Sequence, residues 1–169
     1  AIGMFFLNTD EKKRKSSMKI VEDVVREHDF ILAGWREVPT NKNICGEDAL
    51  KTLPYITQAF INPTEKVSDS DVESKLLIIR RKIEILISKT EDDVFYITSL
   101  SSKVILYKGM IMPKHLAMFY LDLSNKKLET SLCVFHQRFS TNTTPQWSLA
   151  QPFRMLAHNG EINTIRANR

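Results

Sequence analysis

Residues 68–89, SDSDVESKLLIIRRKIEILISK, form the longest periodic segment of the chain and constrain its fold more than any other stretch. Ser70 followed by Glu73 matches a capping box, the pattern that marks the start of a helix. The apolar stripe of such a helix must be buried against another layer of secondary structure. Its members recur at helical spacing: Val72, Leu76, Ile79, Ile83 and Leu86.

Several other segments have the patterns of β-strands. Residues 1–7 alternate in side-chain character, residues 30–39 run up to a proline that ends the strand, and residues 54–61 are short and partly β-patterned. Two apolar runs within 94–110, VFYITSL and KVILYKGM, flank polar residues and predict a hairpin. The segment KLETSLCVFHQRFS, residues 127–140, predicts a buried strand.

Two further helices complete the prediction. Ser17 is a suitable N-cap for a helix over 18–28, which leaves the basic run at 12–15 in a loop. Pro113 fits the first turn of a helix over 113–119. Because strands and helices are interspersed, we expect an α+β layered fold, and 169 residues correspond to one ordinary domain.

Composition limits the classes of partner. A hydrophobic content of 43% with 26% charged residues is ordinary for a globular protein, and the net charge is +4. The basic runs KKRK at 12–15 and RRK at 80–82 would suit a nucleic-acid-binding domain. We favour a solvated surface, because no aromatic residues interleave with the basic ones. No apolar run approaches the roughly 18 residues that a membrane span needs, so we expect no membrane partner.

Metal chemistry has no recognisable motif in this chain. Cys45 and Cys133 form no CxxC pair, and we expect both to be reduced, buried thiols. The four histidines show no ligand spacing, and His28 and His115 are best interpreted as helix-surface or half-buried residues.

Arg138 is a candidate for binding an anionic group. It follows a β-rich run and opens a polar loop, RFSTNTTPQW, that is rich in hydroxyls and amides. A guanidinium there can hold a carboxylate through two parallel N–H···O bonds. The alternative is a structural arginine in an internal ion pair, and the spacing alone favours neither.

Asn159 and Gly160 are candidates for stabilising a negative charge on oxygen. They follow an apolar stretch that ends at His158, so one side of the turn can be buried. A side-chain amide and a glycine N–H pointing at one oxygen are the elements of an oxyanion hole. By itself an Asn-Gly pair is more often an ordinary turn.

Taken together, the longer motifs carry a resemblance. HQRFSTNT and WSLAQPFRMLAHNGEINTIRANR, residues 136–143 and 147–169, resemble the class II glutamine amidotransferase domain of glutamate synthases. HNG alone occurs in other class II amidotransferases, whereas the longer pattern is much more specific. Upstream segments match the same family in the same order: GWREVP at 34–39, LLIIRRKIE at 76–84, FYITSLSSKVILYKGM at 95–110 and FYLDL at 119–123.

This resemblance implies a fold and a set of site residues. The fold is the four-layer α/β/β/α sandwich of N-terminal-nucleophile hydrolases, incomplete here. In the family a leading cysteine attacks the glutamine side-chain amide, with its own α-amino group as base. The resemblance assigns the oxyanion hole to Asn159 and Gly160. It assigns the substrate α-carboxylate to Arg138 and places Thr141 beside the substrate.

The resemblance also implies that residues 1–169 are a partial amidotransferase domain. Ala1 stands in a strand that the family places downstream of its cysteine, and neither Cys45 nor Cys133 has a free α-amine. We therefore expect this piece alone to be inactive. An aspartate that the family uses to hold the substrate's amino group is expected beyond Arg169.

The parent protein is expected to make glutamate from glutamine and 2-oxoglutarate. Its other regions would use FMN, an iron–sulfur cluster and NAD(P)H or ferredoxin, none of which we expect in this chain. The implied partners are glutamine and the remainder of the synthase chain, through an ammonia tunnel, in the cytoplasm or a plastid. Two alternatives remain open: a noncatalytic module that senses glutamine, and a basic nucleic-acid-binding domain.

Overall fold

The computed structural model of the chain describes residues 1–66, 68–139 and 143–153. The chain divides into two compact units, and each is described by itself. The first unit consists of Ala1–Val38 and Pro54–Leu106, and the second of Pro39–Leu53 and Tyr107–Arg169.

A four-stranded antiparallel sheet forms the framework of the first unit. Its order is β2-β3-β1-β4, so that β1 is paired along both edges. Residues 3–7 of this strand are buried, which fits the unbroken apolar run in a strand covered on both faces. The predicted strands at 1–7, 30–39 and 54–61 are confirmed. The strands are β1 Ile2–Leu7, β2 Phe30–Glu37, β3 Tyr55–Pro63 and β4 Tyr96–Ser101.

Four α-helices occur in the described part of the chain, and the two long ones share the core of the sheet. The predicted stripe of α3 is confirmed, since four of its members are buried and Leu86 packs against the same core as a partly buried residue. The observed mixture of helices with an antiparallel sheet agrees with the predicted α+β class. The helices are α1 Glu11–Glu27, α2 Glu47–Lys51, α3 Asp69–Ile87 and α4 Leu116–Phe119.

The predicted start of α1 is wrong. Asp10, not Ser17, caps this helix, because its Oδ1 accepts a hydrogen bond of 2.9 Å from the backbone N–H of Lys13. Ser17 lies buried within the helix and donates to Oδ2 of Asp92 at 2.6 Å. The basic run at 12–15 is therefore helical, which suits the good helix propensity of lysine and arginine.

The capping residue of α3 also differs from the prediction. Ser68 is the N-cap, and its Oγ accepts from the backbone N–H of Asp71 at 3.3 Å. Glu73 does not complete a capping box. Its carboxylate instead accepts from the Ser101 hydroxyl at 3.0 Å and the Ser102 N–H at 2.6 Å, which ties α3 to the end of β4.

The predicted hairpin within 94–110 is half right. Its first strand is β4, but residues 103–110 form no strand. Side-chain hydroxyls bind this segment: the Leu106 N–H donates to Ser99 Oγ at 3.2 Å, and Thr98 Oγ1 donates to the Leu106 carbonyl at 3.4 Å. The backbone groups of Leu106 therefore do not bond to the backbone of β4.

The predicted buried strand at 127–140 is wrong over its described part. Residues 127–139 form no strand, and Leu132, Val134 and Phe135 are 76%, 71% and 76% exposed. Alternating apolar residues give strand propensity, but a strand also requires a neighbour that supplies hydrogen bonds. Among the described residues none pairs with this segment. The predicted helix at 113–119 is confirmed as a 3-10 turn at Pro113–His115 that leads into α4.

Two neighbouring leucines of α3 test the contribution of its buried stripe. Leu76 is fully buried, whereas Leu77 is 49% exposed. We expect Leu76→Ala to lower the free energy of unfolding by about 2–5 kcal/mol, because it leaves a cavity in the core. Leu77→Ala serves as the matched control, with an expected change of about 0.5 kcal/mol or less. Denaturant unfolding measures both, and equal losses would contradict the assigned packing.

Candidate functional site

A cluster of aromatic side chains forms the core of the second unit. Tyr120 is fully buried, with its ring centroid 5.1 Å from that of Tyr107 and 4.7 Å from that of Phe119. The Phe119 ring lies 5.6 Å from Trp147, which belongs to the segment WSLAQPFR. Through this contact the segment that precedes Asn159 and Gly160 in the chain packs against Phe119 of α4.

Trp147 is held in this core from two sides. Its indole N–H donates to the carbonyl of Ala49 in α2 at 3.1 Å. Gly109 lies so close to the ring that an added Cβ would be 2.3 Å from Trp147 Cζ3. Because only a residue without a side chain fits there, Gly109 permits the close approach of the two segments.

Lys108 is buried in the same region, with 2% of its surface exposed. Its Nζ donates to the carbonyl of Ser148 at 2.9 Å and lies 4.8 Å from the centroid of the Phe153 ring. Its own carbonyl accepts from the Tyr120 hydroxyl at 2.7 Å. Burial raises the pKa of Tyr120, with Tyr107 and Cys45 adding to the rise, so this phenol stays protonated and donates.

The candidate catalytic residues follow this segment. Asn159 and Gly160, and likewise Thr141, lie outside the described residues, and their predicted roles remain predictions. Arg138 is described and exposed. The described segment 143–153 precedes the predicted oxyanion pair in the chain.

The side chain of Arg138 is exposed. Within the described ranges it forms no hydrogen bond and no ion pair. The sequence left two interpretations of Arg138 open, carboxylate binding and an internal ion pair. The ion pair is not observed among these residues. An exposed guanidinium is available to a carboxylate that arrives from solvent.

The two cysteines differ in environment. Cys45 is half-buried at the end of a short 3-10 turn, and burial raises the pKa of its thiol, against an opposing effect of the Lys42 charge. Cys133 is exposed, so its predicted burial is wrong, because the segment 127–139 is not a core strand. A raised pKa makes the Cys45 thiol a weaker nucleophile at neutral pH.

Neither the histidines nor the acidic residues of the described part indicate a metal site. The His28 ring lies against α1, with Nδ1 at 2.9 Å from the carbonyl of Val24, as expected for a structural histidine. No group of three or more His, Cys, Asp or Glu side chains within the described ranges is placed to hold a metal ion. Over the same ranges, no helix combines the length and apolar character needed to cross a membrane.

Residues of the two basic runs form ion pairs and hydrogen bonds with nearby residues. On α1, Lys15 pairs with Glu11 at 2.6 Å, and the Arg14 guanidinium donates to the Thr9 carbonyl at 2.9 Å. In the second run, Arg80 binds Glu84 at 2.8 Å. These contacts favour the surface interpretation of both runs over a nucleic-acid interface.

The sequence interpretation did not single out Lys108. The available signal was a lysine inside the otherwise apolar run VILYKGM, which a strand prediction assigns to a solvated face. The side chain is instead buried, and its ammonium contacts Ser148, 40 residues further along the chain, which a local pattern does not predict.

Comparisons with known proteins give one family match and several similar proteins over nearly the whole chain. The family described as "Glutamine amidotransferases class-II" matches residues 1–169. The chain is 44% identical over 169 residues to the "Glutamate synthase [NADPH] large chain" of Azospirillum brasilense, covering 99% of this chain and 11% of that protein. It is 42% identical over 168 residues to the chloroplastic "Ferredoxin-dependent glutamate synthase" of Spinacia oleracea, covering 99% and 10%. The chain thus spans about a tenth of the length of these relatives.

Proposed function

Because this chain belongs to the class II glutamine amidotransferase family, we propose that it is part of the glutamine-hydrolysing region of a glutamate synthase. The observation that carries the proposal is the match to glutamate synthases over 99% of the chain, at 44% identity for the Azospirillum brasilense protein. The motifs RFSTNT and LAQPFRMLAHNGEINT lie within that match. The reaction is hydrolysis of the glutamine side-chain amide to glutamate and ammonia.

Asn159 and Gly160 act in this proposal as the oxyanion hole. The nucleophilic sulfur adds to the side-chain carbonyl carbon, and the electron pair of the C=O bond moves to the oxygen. The Asn159 amide and the Gly160 N–H stabilise that charge by hydrogen bonds that strengthen as it develops. The α-amino group that takes the thiol proton returns it to the amide nitrogen, so collapse of the intermediate releases ammonia and leaves a thioester, which water hydrolyses to glutamate.

Arg138 binds the α-carboxylate of glutamine, and Thr141 lies beside the substrate. The exposed guanidinium of Arg138, which pairs with no carboxylate among the described residues, supports this role. A planar fork of N–H donors matches a carboxylate in two places and so orients as well as binds it.

Neither cysteine of this chain is the nucleophile. The family mechanism uses the free α-amine of the attacking cysteine as its base, and both Cys45 and Cys133 are internal. The raised pKa of the Cys45 thiol further disfavours attack at neutral pH. We therefore infer that the 169-residue piece alone does not hydrolyse glutamine.

The remaining features of the parent protein follow from the same proposal. The sheet and its two long helices would be two layers of a four-layer α/β/β/α sandwich. Ammonia would pass through a tunnel to a synthase region that uses FMN, an iron–sulfur cluster and NAD(P)H or ferredoxin to make glutamate from 2-oxoglutarate. A bacterial and a chloroplastic relative support a location in the cytoplasm or a plastid.

Substitution of Asn159 tests the oxyanion assignment. In the full-length parent, Asn159→Ala should lower kcat for glutamine hydrolysis about 10²–10³-fold, because one oxyanion donor is lost. Ammonia release measures the rate, and Asn43→Ala, at an exposed position, is the matched control. Wild-type turnover in the Asn159 variant would remove this residue from the mechanism. A parent that binds glutamine without hydrolysing it would instead be a sensing module.

Substitution of Arg138 tests the substrate clamp separately. Arg138→Lys keeps the charge but loses the fork, and the lost charge-assisted hydrogen bond should raise KM for glutamine roughly tenfold or more. The effect on kcat should be smaller, because the α-carboxylate is bound equally before and during the reaction. Arg26→Lys, at an exposed arginine of α1, is the control. An unchanged KM would contradict the assignment.

Removal of both cysteines tests the position of the nucleophile. The full-length variant with Cys45→Ser and Cys133→Ser should retain glutamine hydrolysis within about twofold of wild type, because neither thiol attacks the substrate. The 169-residue chain should show no hydrolysis in the same ammonia assay. Loss of activity in a correctly folded double variant, or activity in the short chain, would show that an internal cysteine attacks.

A further inference from the structure

We propose that Lys108 is a positioning residue for glutamine hydrolysis, holding the segment Ser148–Phe153 so that the Asn159–Gly160 pair is correctly placed. The inference rests on the proposed function and adds a residue to it. Lys108 does not itself touch the substrate or the reacting atoms in this proposal. It acts through the backbone that leads into the oxyanion hole.

The side chain of Lys108 makes contact with both ends of this segment. Its ammonium donates to the Ser148 carbonyl at 2.9 Å and lies 4.8 Å from the centroid of the Phe153 ring. The hydrogen bond is directional, and the attraction between a cation and an aromatic face adds a second point of attachment. Two attachments that are five residues apart restrict the segment as a unit.

Lys108 is itself fixed by the core of the second unit. Its carbonyl accepts from the buried Tyr120 hydroxyl at 2.7 Å. The next residue, Gly109, lies under the Trp147 ring, whose N–H is bound to the carbonyl of Ala49. The ammonium therefore projects from a rigid base, which a positioning group requires.

Burial of a cation distinguishes this lysine from an ordinary packing residue. A charged amine with 2% exposure loses most of its hydration, so its burial is unfavourable unless polar or aromatic groups compensate. A methionine would fill a similar space without that loss but would leave the Ser148 carbonyl without this donor. The presence of the ammonium thus points to the orientation of the segment rather than to filling of the core.

The sequence distance to the oxyanion pair makes this orientation relevant to catalysis. Phe153 precedes Asn159 by six residues in the chain. Oxyanion donors act at about 2.7–3.1 Å from the charged oxygen. A displacement of about 1 Å that originates away from the chemistry can lower the rate about 10²-fold. Loosening the segment should therefore affect kcat, whereas binding through Arg138 should change little.

The test compares Lys108→Met with Lys114→Met in the full-length parent. Lys114 is exposed in the same unit, so this control makes the same chemical change at the surface. We expect Lys108→Met to lower kcat about 10-fold to 100-fold with KM for glutamine within about twofold, because the donors are displaced while the clamp is not. The control should have wild-type kinetics. A wild-type kcat in folded Lys108→Met overturns the proposal.

A second variant covers the case in which Lys108→Met does not fold. Phe153→Leu keeps an apolar side chain but removes the aromatic face, and should lower kcat roughly 3-fold to 30-fold at unchanged KM. Where Lys108→Met does fold, a double-mutant cycle should show the two substitutions to be less than additive, because both remove the contact between Lys108 and Phe153. Wild-type kcat in Phe153→Leu, or full additivity, would overturn the coupling.

Hydrogen exchange separates this inference from the proposed function. In Lys108→Met, the backbone amides of 148–153 should exchange faster than in wild type, while those of β1 should be unchanged. If the wild-type parent hydrolyses no glutamine, the proposed function fails, and this readout alone decides whether Lys108 restrains the segment. Unchanged exchange over 148–153 overturns the positioning role in either case.

Discussion

Burial of the apolar faces of α1 and α3 against the sheet is the interaction on which the first unit depends. Strand β1 is central because both of its edges are paired, and its residues from 3 to 7 are withdrawn from water. The Phe5 ring lies 5.4 Å from Trp35 of β2 and 6.1 Å from Phe95, the residue before β4, so these side chains contribute to the same core as the helices. Each fully buried large side chain contributes about 1.5–3 kcal/mol, which outweighs the local preferences of the connecting segments.

The parts of the fold that depend on this burial were predictable from the sequence, because periodicity records which face is apolar. The stripe of α3 and the positions of three strands follow from that pattern. The start of α1 does not, since Asp10 and Ser17 are both residue types that cap helices, and the tertiary contact of Ser17 with Asp92 is not visible in the local sequence. The segment 127–139 has the local pattern of a strand but forms none, because a strand also needs a neighbouring strand to pair with.

The same distinction between local sequence patterns and long-range contacts applies to the candidate site. Arg138 could be proposed from its residue type and its place before a polar loop, and its exposure agrees with that role. The contact of Lys108 with Ser148 spans 40 residues and that of Trp147 with Ala49 spans 98. Contacts at such separations leave no periodic trace in a single sequence. Family resemblance therefore supplies the proposal for the site residues, and the structure adds the long-range contacts of the segment Ser148–Phe153, which precedes Asn159 in the chain.

In the proposed site, different residues determine substrate binding and the rate of the reaction. In the function we propose, Arg138 binds the substrate before and during the reaction, whereas the oxyanion donors matter most once charge has developed. The proposed role of Lys108 concerns the second group, because its ammonium binds the Ser148 carbonyl and contacts the Phe153 ring, both before those donors in the chain. Hydrophobic burial is non-directional, so by itself it does not set the orientation of a backbone segment. A hydrogen bond from a buried ammonium also fixes its direction, which is the property that an oxyanion hole requires.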